Sequence, residues 1–229
     1  MRVKLEVIAS TVEDALLAQQ HGADRLELIT AVTEGGLTPG IGLVRQVLRR
    51  VDIPVHVMVR PHSRSFIYSE ADLETMMEEI QAISEAGAQG IVLGLLTPEG
   101  IIDEEGLQRL LARTGELQVT FHRAFDELED PLSGIQVLLK YPQVTRVLTA
   151  GGRLPAFQSV SRLKQLVEAA HGTALAILAG GGLQVDGIRA FLRQTGVQEV
   201  HYGSAVRMDH SLLAPIYPAA LQRLVQLLR

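Results

Sequence analysis

His21-Gly22-Ala23-Asp24-Arg25-Leu26-Glu27-Leu28 decides the fold. The helical period of Thr11–His21 stops at a glycine, which takes the left-handed cap conformation without a Cβ penalty. A strand follows at once. Leu26 and Leu28 point one way and Arg25 and Glu27 the other, because side chains alternate along a strand. The same joint recurs as Ala86-Gly87-Ala88-Gln89-Gly90-Ile91 and as Thr195-Gly196-Val197-Gln198-Glu199-Val200. Working outward from these joints, eight strands are expected at Lys4–Ala9, Arg25–Leu28, Pro54–Val59, Gly90–Leu93, Gln118–Phe121, Arg146–Leu148, Ala174–Leu178 and Glu199–Tyr202. A helical stretch follows each, as at Glu70–Ala86, Pro155–Ala170 and Ala214–Leu228.

Eight βα units fit a closed parallel barrel, the TIM (β/α)8 architecture, better than an open doubly wound sheet. Strands of an open parallel sheet are buried on both faces and read as unbroken aliphatic runs. Here one face of the third strand carries His56, Met58 and Arg60, and one face of the fifth carries Gln118, Thr120 and His122. No linker or low-complexity stretch interrupts the pattern, so residues 1–229 are expected to form a single domain.

With 229 residues, of which 47% are hydrophobic and 21% charged, the chain can bury a large core. The net charge of −5 includes no basic stripe, which argues against nucleic acid or anionic membrane as a partner. There is no cysteine, which excludes disulfides, thiolate metal sites and a cysteine nucleophile. No basic segment followed by an apolar run precedes the first strand, and no apolar run approaches the roughly 20 residues that span a bilayer. A cytoplasmic protein is expected.

Charged groups inside strands carry the functional signal. Glu6, Glu27 and His56 are each flanked by aliphatic residues, and an unpaired buried charge costs several kcal/mol, roughly. They pair with one another, for example Glu27 with Arg25, or they hold a ligand. At the strand ends, Arg60-Pro61 opens a long loop with Arg64, Phe66 and Tyr68, a candidate lid. Phe121-His122-Arg123-Ala124-Phe125-Asp126 brings together an imidazole, a cation and a carboxylate. Glycine runs end three strands in succession, at Gly151-Gly152, Gly180-Gly181-Gly182 and Gly203-Ser204. Barrel loops after the seventh and eighth strands often cradle phosphate with backbone N–H groups.

Gly22–Leu28, Glu34-Gly35-Gly36-Leu37-Thr38-Pro39, Pro54-Val55-His56, Arg60-Pro61, Phe66-Ile67-Tyr68-Ser69, Phe121–Asp126 and Arg146-Val147-Leu148-Thr149 together resemble the CutC family, and the resemblance runs over nearly the whole chain. It implies a TIM barrel, a cytoplasmic location, a homo-oligomer and a link to copper homeostasis. The sequence departs from the family where many members carry cysteines: Val7-Ile8-Ala9 and Ile29 stand in those neighbourhoods. Copper(I) prefers sulfur ligands.

Three readings follow. In the first, copper is held by His56, Met58, His122 and His201. In the second, the protein is an isomerase- or lyase-type enzyme acting on a small phosphorylated metabolite. Glu27 or His122 then moves the proton, Arg60 or Arg123 steadies negative charge, and Asp126 completes the set. Thr149, Gly151, Gly181, Gly182, Gly203 and Ser204 hold the phosphate. No lysine lies inside a strand near its C-terminal end, which argues against Schiff-base chemistry. In the third, Glu6 and Glu27 with His56 hold a hard divalent ion.

Overall fold

In a computed structural model describing residues 2–229, the chain forms a closed barrel of eight parallel strands in chain order. They are β1 (Lys4–Ala9), β2 (Arg25–Leu28), β3 (Val55–Met58), β4 (Gly90–Leu93), β5 (Gln118–Phe121), β6 (Val144–Thr149), β7 (Ala176–Ala179) and β8 (Glu199–Tyr202). Helices α1 (Val12–Gln20), α2 (Ile41–Leu48), α3 (Glu70–Glu85), α4 (Glu104–Leu111), α5 (Pro131–Leu138), α6 (Val160–Ala170), α7 (Ile188–Thr195) and α8 (Pro218–Leu228) alternate with them. No helix among the described residues is long and apolar enough to cross a membrane.

Strand alternation sorts the interior into two parts. Outward residues such as Val7, Leu28, Val57, Leu93 and Val200 are fully buried against the helices in one continuous core. Inward apolar residues form a separate cluster of Ile29, Met58 and Val92, joined by Ile8 and Val32. The remaining inward positions are mostly polar, and the register sets them side by side: Glu6 lies opposite Arg25 on one neighbour and His201 on the other. Glu27 lies opposite His56.

The three helix-ending glycines, Gly22, Gly87 and Gly196, all have positive φ, at 95°, 89° and 75°. Helix starts follow side-chain chemistry. The Thr11 hydroxyl accepts from the Asp14 N–H at α1, and Ser69 with Asp72 forms a reciprocal capping box at α3.

Some boundaries differ from the expected ones. The helix expected at Pro155–Ala170 is split, because Ser159 leaves helical geometry (φ −112°, ψ 22°) after a short 3-10 turn at Ala156–Gln158. The Ala156 N–H is drawn to the Gly181 carbonyl at 2.8 Å, tying this segment to the loop after β7. The last helix starts at Pro218 rather than Ala214, since Ile216 pairs with Arg207 and the Tyr217 N–H bonds to the Val206 carbonyl.

Candidate active site

A cavity of about 250 Å³ opens at the C-terminal ends of the strands. Of the residues singled out in the sequence, Glu27, Met58, Arg60, His122, Arg123, Gly181, Gly182, His201, Gly203 and Ser204 line it. Beneath it lies a closed ion network. Arg25 bonds to Glu6 through Nε and to Glu199 through Nη2 (2.8 Å). Arg146 bonds to Glu199 (3.1 Å) and to Gln118 (2.7 Å). Arg25 therefore pairs with Glu6 and Glu199, not with Glu27.

Glu27 is buried, and its Oε1 has no hydrogen-bond partner among the described residues. Burial pushes its pKa up to about 7, against the pull of His201, with Glu6 adding repulsion. Its other oxygen lies 3.8 Å from His201 Nε2. His201 donates from Nδ1 to Glu6 at 2.7 Å. Burial opposes charge on His201, but the Glu27 and Glu6 carboxylates raise its pKa. Burial also opposes charge on Glu6, yet Arg25 and His201 hold that carboxyl well below the usual range.

His122 faces the same cavity. The Ala124 N–H donates to its Nδ1 at 3.2 Å, which leaves the ring proton on Nε2. That nitrogen is buried and unpartnered. Burial, together with Arg60 and Arg123, lowers the pKa to about 3, so the ring is a neutral donor at pH 7. Phe66 packs against it, ring centroids 5.0 Å apart. Gly94 makes room for it: a Cβ there would meet His122 Nδ1 at 2.4 Å.

Arg60 is clamped rather than free. Its Nη1 donates to the Glu34 and Gly36 carbonyls (3.0 and 3.2 Å), and its guanidinium lies 4.7 Å from the Phe66 ring centre. The glycine pair in the Glu34–Pro39 loop thus brings backbone close to this arginine. Arg60 Nε is buried and has no partner. Phe66, in the loop anticipated as a lid, lines the cavity; Arg64 and Tyr68 do not.

Five singled-out residues lie elsewhere. Asp126 sits behind the wall as a hub. Its carboxylate accepts from the Thr149 hydroxyl, from the Ala150 and Gly152 N–H groups at 3.0 and 3.1 Å, and from Arg123 Nε at 2.7 Å. The Gly151 N–H is taken by Thr149 Oγ1 at 2.8 Å. The N–H donors after β6 are therefore taken within the protein by Asp126 and Thr149, away from the cavity, which corrects the expected placing of Asp126, Thr149 and Gly151 at the ligand. Glu6 and His56 lie below the floor. His56 Nδ1 is 3.4 Å from Thr120 Oγ1, and burial, with Arg25 and Arg146 nearby, lowers its pKa to about 3.

After β7 and β8 the donors remain available. The N–H groups of Gly181, Gly182, Ser204 and Ala205 have no protein acceptor among the described residues. The apolar lining of Ile8, Ile29, Val32, Leu148, Leu183 and Leu212 was missed. Alternation identifies three of these, since Ile8 follows Glu6, Ile29 follows Glu27 and Leu148 follows Arg146 by two positions.

The family model for the CutC family matches residues 3–206. The chain belongs to the CutC family. A Salmonella schwarzengrund protein named family protein CutC is 40% identical over 202 residues, covering 88% of this chain and 80% of its own. A crystal structure described as the putative copper homeostasis protein CutC from Streptococcus agalactiae is similar at 31% identity, with a TM-score of 0.82, over 87% of this chain and 97% of that one. Phosphoribosylanthranilate isomerase from Thermotoga maritima shares the fold at 13% identity, with a TM-score of 0.65, over 98% and 97% of the two chains.

The donor set here bears directly on the copper link in that relative's name. Copper(I) does not fit: there is no cysteine, and the Met58 thioether packs in the apolar cluster with Ile29 and Val92. Among the described residues, one group of potential ligands comes together, Glu6, Glu27 and His201, within 4.8 Å of one another. His56 is not part of it. Arg25 and His201 Nδ1 already bond the Glu6 carboxylate, so Glu27 and His201 Nε2 are the ligands left free.

Proposed function

We infer that this CutC-family chain is an acid–base enzyme of isomerase or lyase type, moving a proton at carbon beside a carbonyl in a small phosphorylated metabolite. One observation carries the reading: an unpartnered carboxylate with pKa about 7 and an unpartnered neutral imidazole N–H line the same buried cavity. A base poised near the working pH is the one best suited to proton abstraction. Glu27 takes the α-proton. The C–H electron pair forms the carbon–carbon double bond, and the carbonyl π pair moves onto oxygen. That oxygen is met by His122 Nε2–H and Arg60 Nε–H, donors fixed before the reaction begins. In an isomerisation of an α-hydroxy carbonyl the C=C pair takes the proton at the former carbonyl carbon, while the α-hydroxyl passes its proton to the enolate oxygen and becomes the new carbonyl; in an elimination the enolate pair re-forms the carbonyl and a β-substituent departs with the C=C pair. The free N–H groups of Gly181, Gly182, Ser204 and Ala205 seat the phosphate.

The test is exchange of α-protons for deuterium, followed by NMR, across a panel of small carbonyl phosphates. Exchange with at least one compound, cut about 10²–10⁴-fold in Glu27→Gln, is expected. No exchange with any compound, together with no rise in Tm from inorganic phosphate, sinks the reading.

A second reading has a specific observation behind it. The grouping of Glu6, Glu27 and His201 favours a divalent ion, copper(II) included, on Glu27 and His201. Calorimetric titration of copper(II), with anaerobic copper(I) alongside, decides it: one equivalent bound by the wild type and lost in His201→Gln supports the ion. The cytoplasmic, homo-oligomeric setting implied by the family resemblance belongs to the same proposal.

A further inference from the structure

Of Phe121–Asp126, only His122 enters the chemistry above. Arg123 and Asp126 face each other, because a 3-10 turn, here Arg123–Glu127, eclipses residues three apart. Asp126 Oδ2 takes the Arg123 Nε–H at 2.7 Å. The carboxylate cannot swing: it is buried and held by the Ala150 and Gly152 N–H groups and the Thr149 hydroxyl. The guanidinium is therefore fixed through Nε, while both its terminal nitrogens have no protein acceptor among the described residues.

This guanidinium packs on the backbone of Gly181, where a Cβ would meet Arg123 Cζ at 3.0 Å and Nε at 3.1 Å. Arg123, Gly181, Gly182, Ser204 and Ala205 line one cavity, and Glu27 is its only carboxylate among the described residues. The connection after β6 braces both halves of that set. Ala150 and Gly152 hold Asp126, and the Ala156 N–H takes the Gly181 carbonyl at 2.8 Å. That bond turns the Gly182 N–H, trans across the same peptide, away from the connection. Two terminal nitrogens and four backbone N–H groups exceed what the two oxygens of a carboxylate or phosphodiester take up. They suit the three terminal oxygens of a phosphate monoester.

We propose that Arg123 is the cation of the phosphate seat, that Asp126 is the residue positioning it, and that the pair selects a phosphate monoester over a phosphodiester or a carboxylate. The inference rests on the seat of the preceding reading and names the end group of its ligand.

Calorimetry on the full chain at fixed salt tests it, with inorganic phosphate, methyl phosphate and dimethyl phosphate as probes. The first two are expected to bind roughly tenfold or more tighter than the third. Arg123→Ala should weaken phosphate about tenfold or more, and added guanidinium should recover part of the loss. Asp126→Asn separates aim from charge. Removing a negative charge beside the seat would by itself tighten an anion, so weaker phosphate binding with Arg123 still present marks lost positioning. Guanidinium should not rescue that variant, because Arg123 fills the space. Arg123→Lys keeps the charge but cannot both bond Asp126 and present two free nitrogens. It should bind phosphate less tightly than the wild type, and it carries the positioning test if Asp126→Asn does not fold. If phosphate binds the wild type and Arg123→Ala equally, or dimethyl phosphate binds as tightly as methyl phosphate, the role of Arg123 is overturned while the seat stands. If Asp126→Asn binds phosphate more tightly, the positioning role of Asp126 is overturned. If phosphate does not bind the wild type, seat and cation both fall.

Discussion

Two layers of the barrel interior, which meet on β2, are built on opposite terms. In the lower layer Glu6, Arg25, Arg146 and Glu199 spend their charges on one another. In the upper layer Glu27, His122 and Arg60 each keep a buried polar atom unspent. β2 shows the change within three residues: Arg25 is bonded twice across the barrel, and Glu27, two positions on, keeps Oε1 free. Burial is equal, so burial alone does not mark the site. Among the carboxylates and guanidinium groups the discriminating quantity is whether each buried polar atom has a partner, since an unmade hydrogen bond costs more than a made one contributes; below the floor the unpartnered atom is His56 Nε2, a neutral imidazole nitrogen. One layer closes the barrel, and the other stays open for something to complete.

The largest effect expected from this contrast is on stability. Arg25→Met leaves Glu6 and Glu199 with one cation fewer each, and breaking a buried pair this way costs about 3–5 kcal/mol. For a domain of this size that lowers Tm by roughly 10 °C or more. Thermal denaturation at pH 7 checks it. A change under 1 kcal/mol would mean the lower layer is not the load of the barrel interior, and the contrast would collapse.

The contrast was half legible in the sequence. Strand alternation put Arg25 with Glu27, and His56 with Met58 and Arg60, on inward faces, and five strand boundaries came out as expected. Family membership was visible in Phe121–Asp126 and Glu34–Pro39. What alternation does not give is barrel stagger, which decides whether two inward residues share a layer. Stagger is what separates Glu27 from Arg25, and His56 from the grouping of Glu6, Glu27 and His201. Nor does a glycine in the sequence say what approaches it: Gly35 and Gly36 close on Arg60 and Met58. Asp126 stands in a motif that reads as catalytic, yet its acceptor positions are filled by the loop after β6. Only coordinates show the occupancy of an acceptor.

A smaller effect separates space from charge in the upper layer. Gly94→Ala places a methyl 2.4 Å from His122 Nδ1 and 3.2 Å from the Ala124 Cβ, so the imidazole must move. Overpacking of this kind costs about 1–3 kcal/mol. It should also break the Ala124 N–H bond that fixes the His122 tautomer, seen as a changed ¹⁵N pattern of the ring by NMR. Gly42→Ala in α2 is the control, with nothing within 4 Å of the new methyl and about 1 kcal/mol to gain from helix propensity. If Gly94→Ala leaves the ring signals unchanged, the orientation of His122 does not depend on that space.

The smallest effect has a sign that only this reading of the two layers gives. Glu27 has a folded-state pKa of about 7, above its ordinary 4.5. Below pH 4.5 it is protonated in both states and costs nothing. Between 4.5 and 7 the unfolded state releases a proton that the folded state keeps, so stability from this group falls as pH rises; above 7 the full cost of a buried carboxylate remains. Glu27→Gln removes the ionisation, so the variant should match the wild type near pH 4 and gain roughly 5 °C in Tm at pH 8. Glu6 has the opposite sign. Its folded-state pKa is lowered, chiefly by Arg25 against the cost of burial, so it stabilises at neutral pH and loses that contribution as pH falls. Glu6→Gln should therefore be less stable than the wild type at pH 8, with the deficit shrinking toward acid. Two Glu→Gln changes, on neighbouring strands of one barrel, then move Tm in opposite directions at pH 8. If both lower it, the upper layer is held by the same ion pairing as the lower one, and Glu27 is structural.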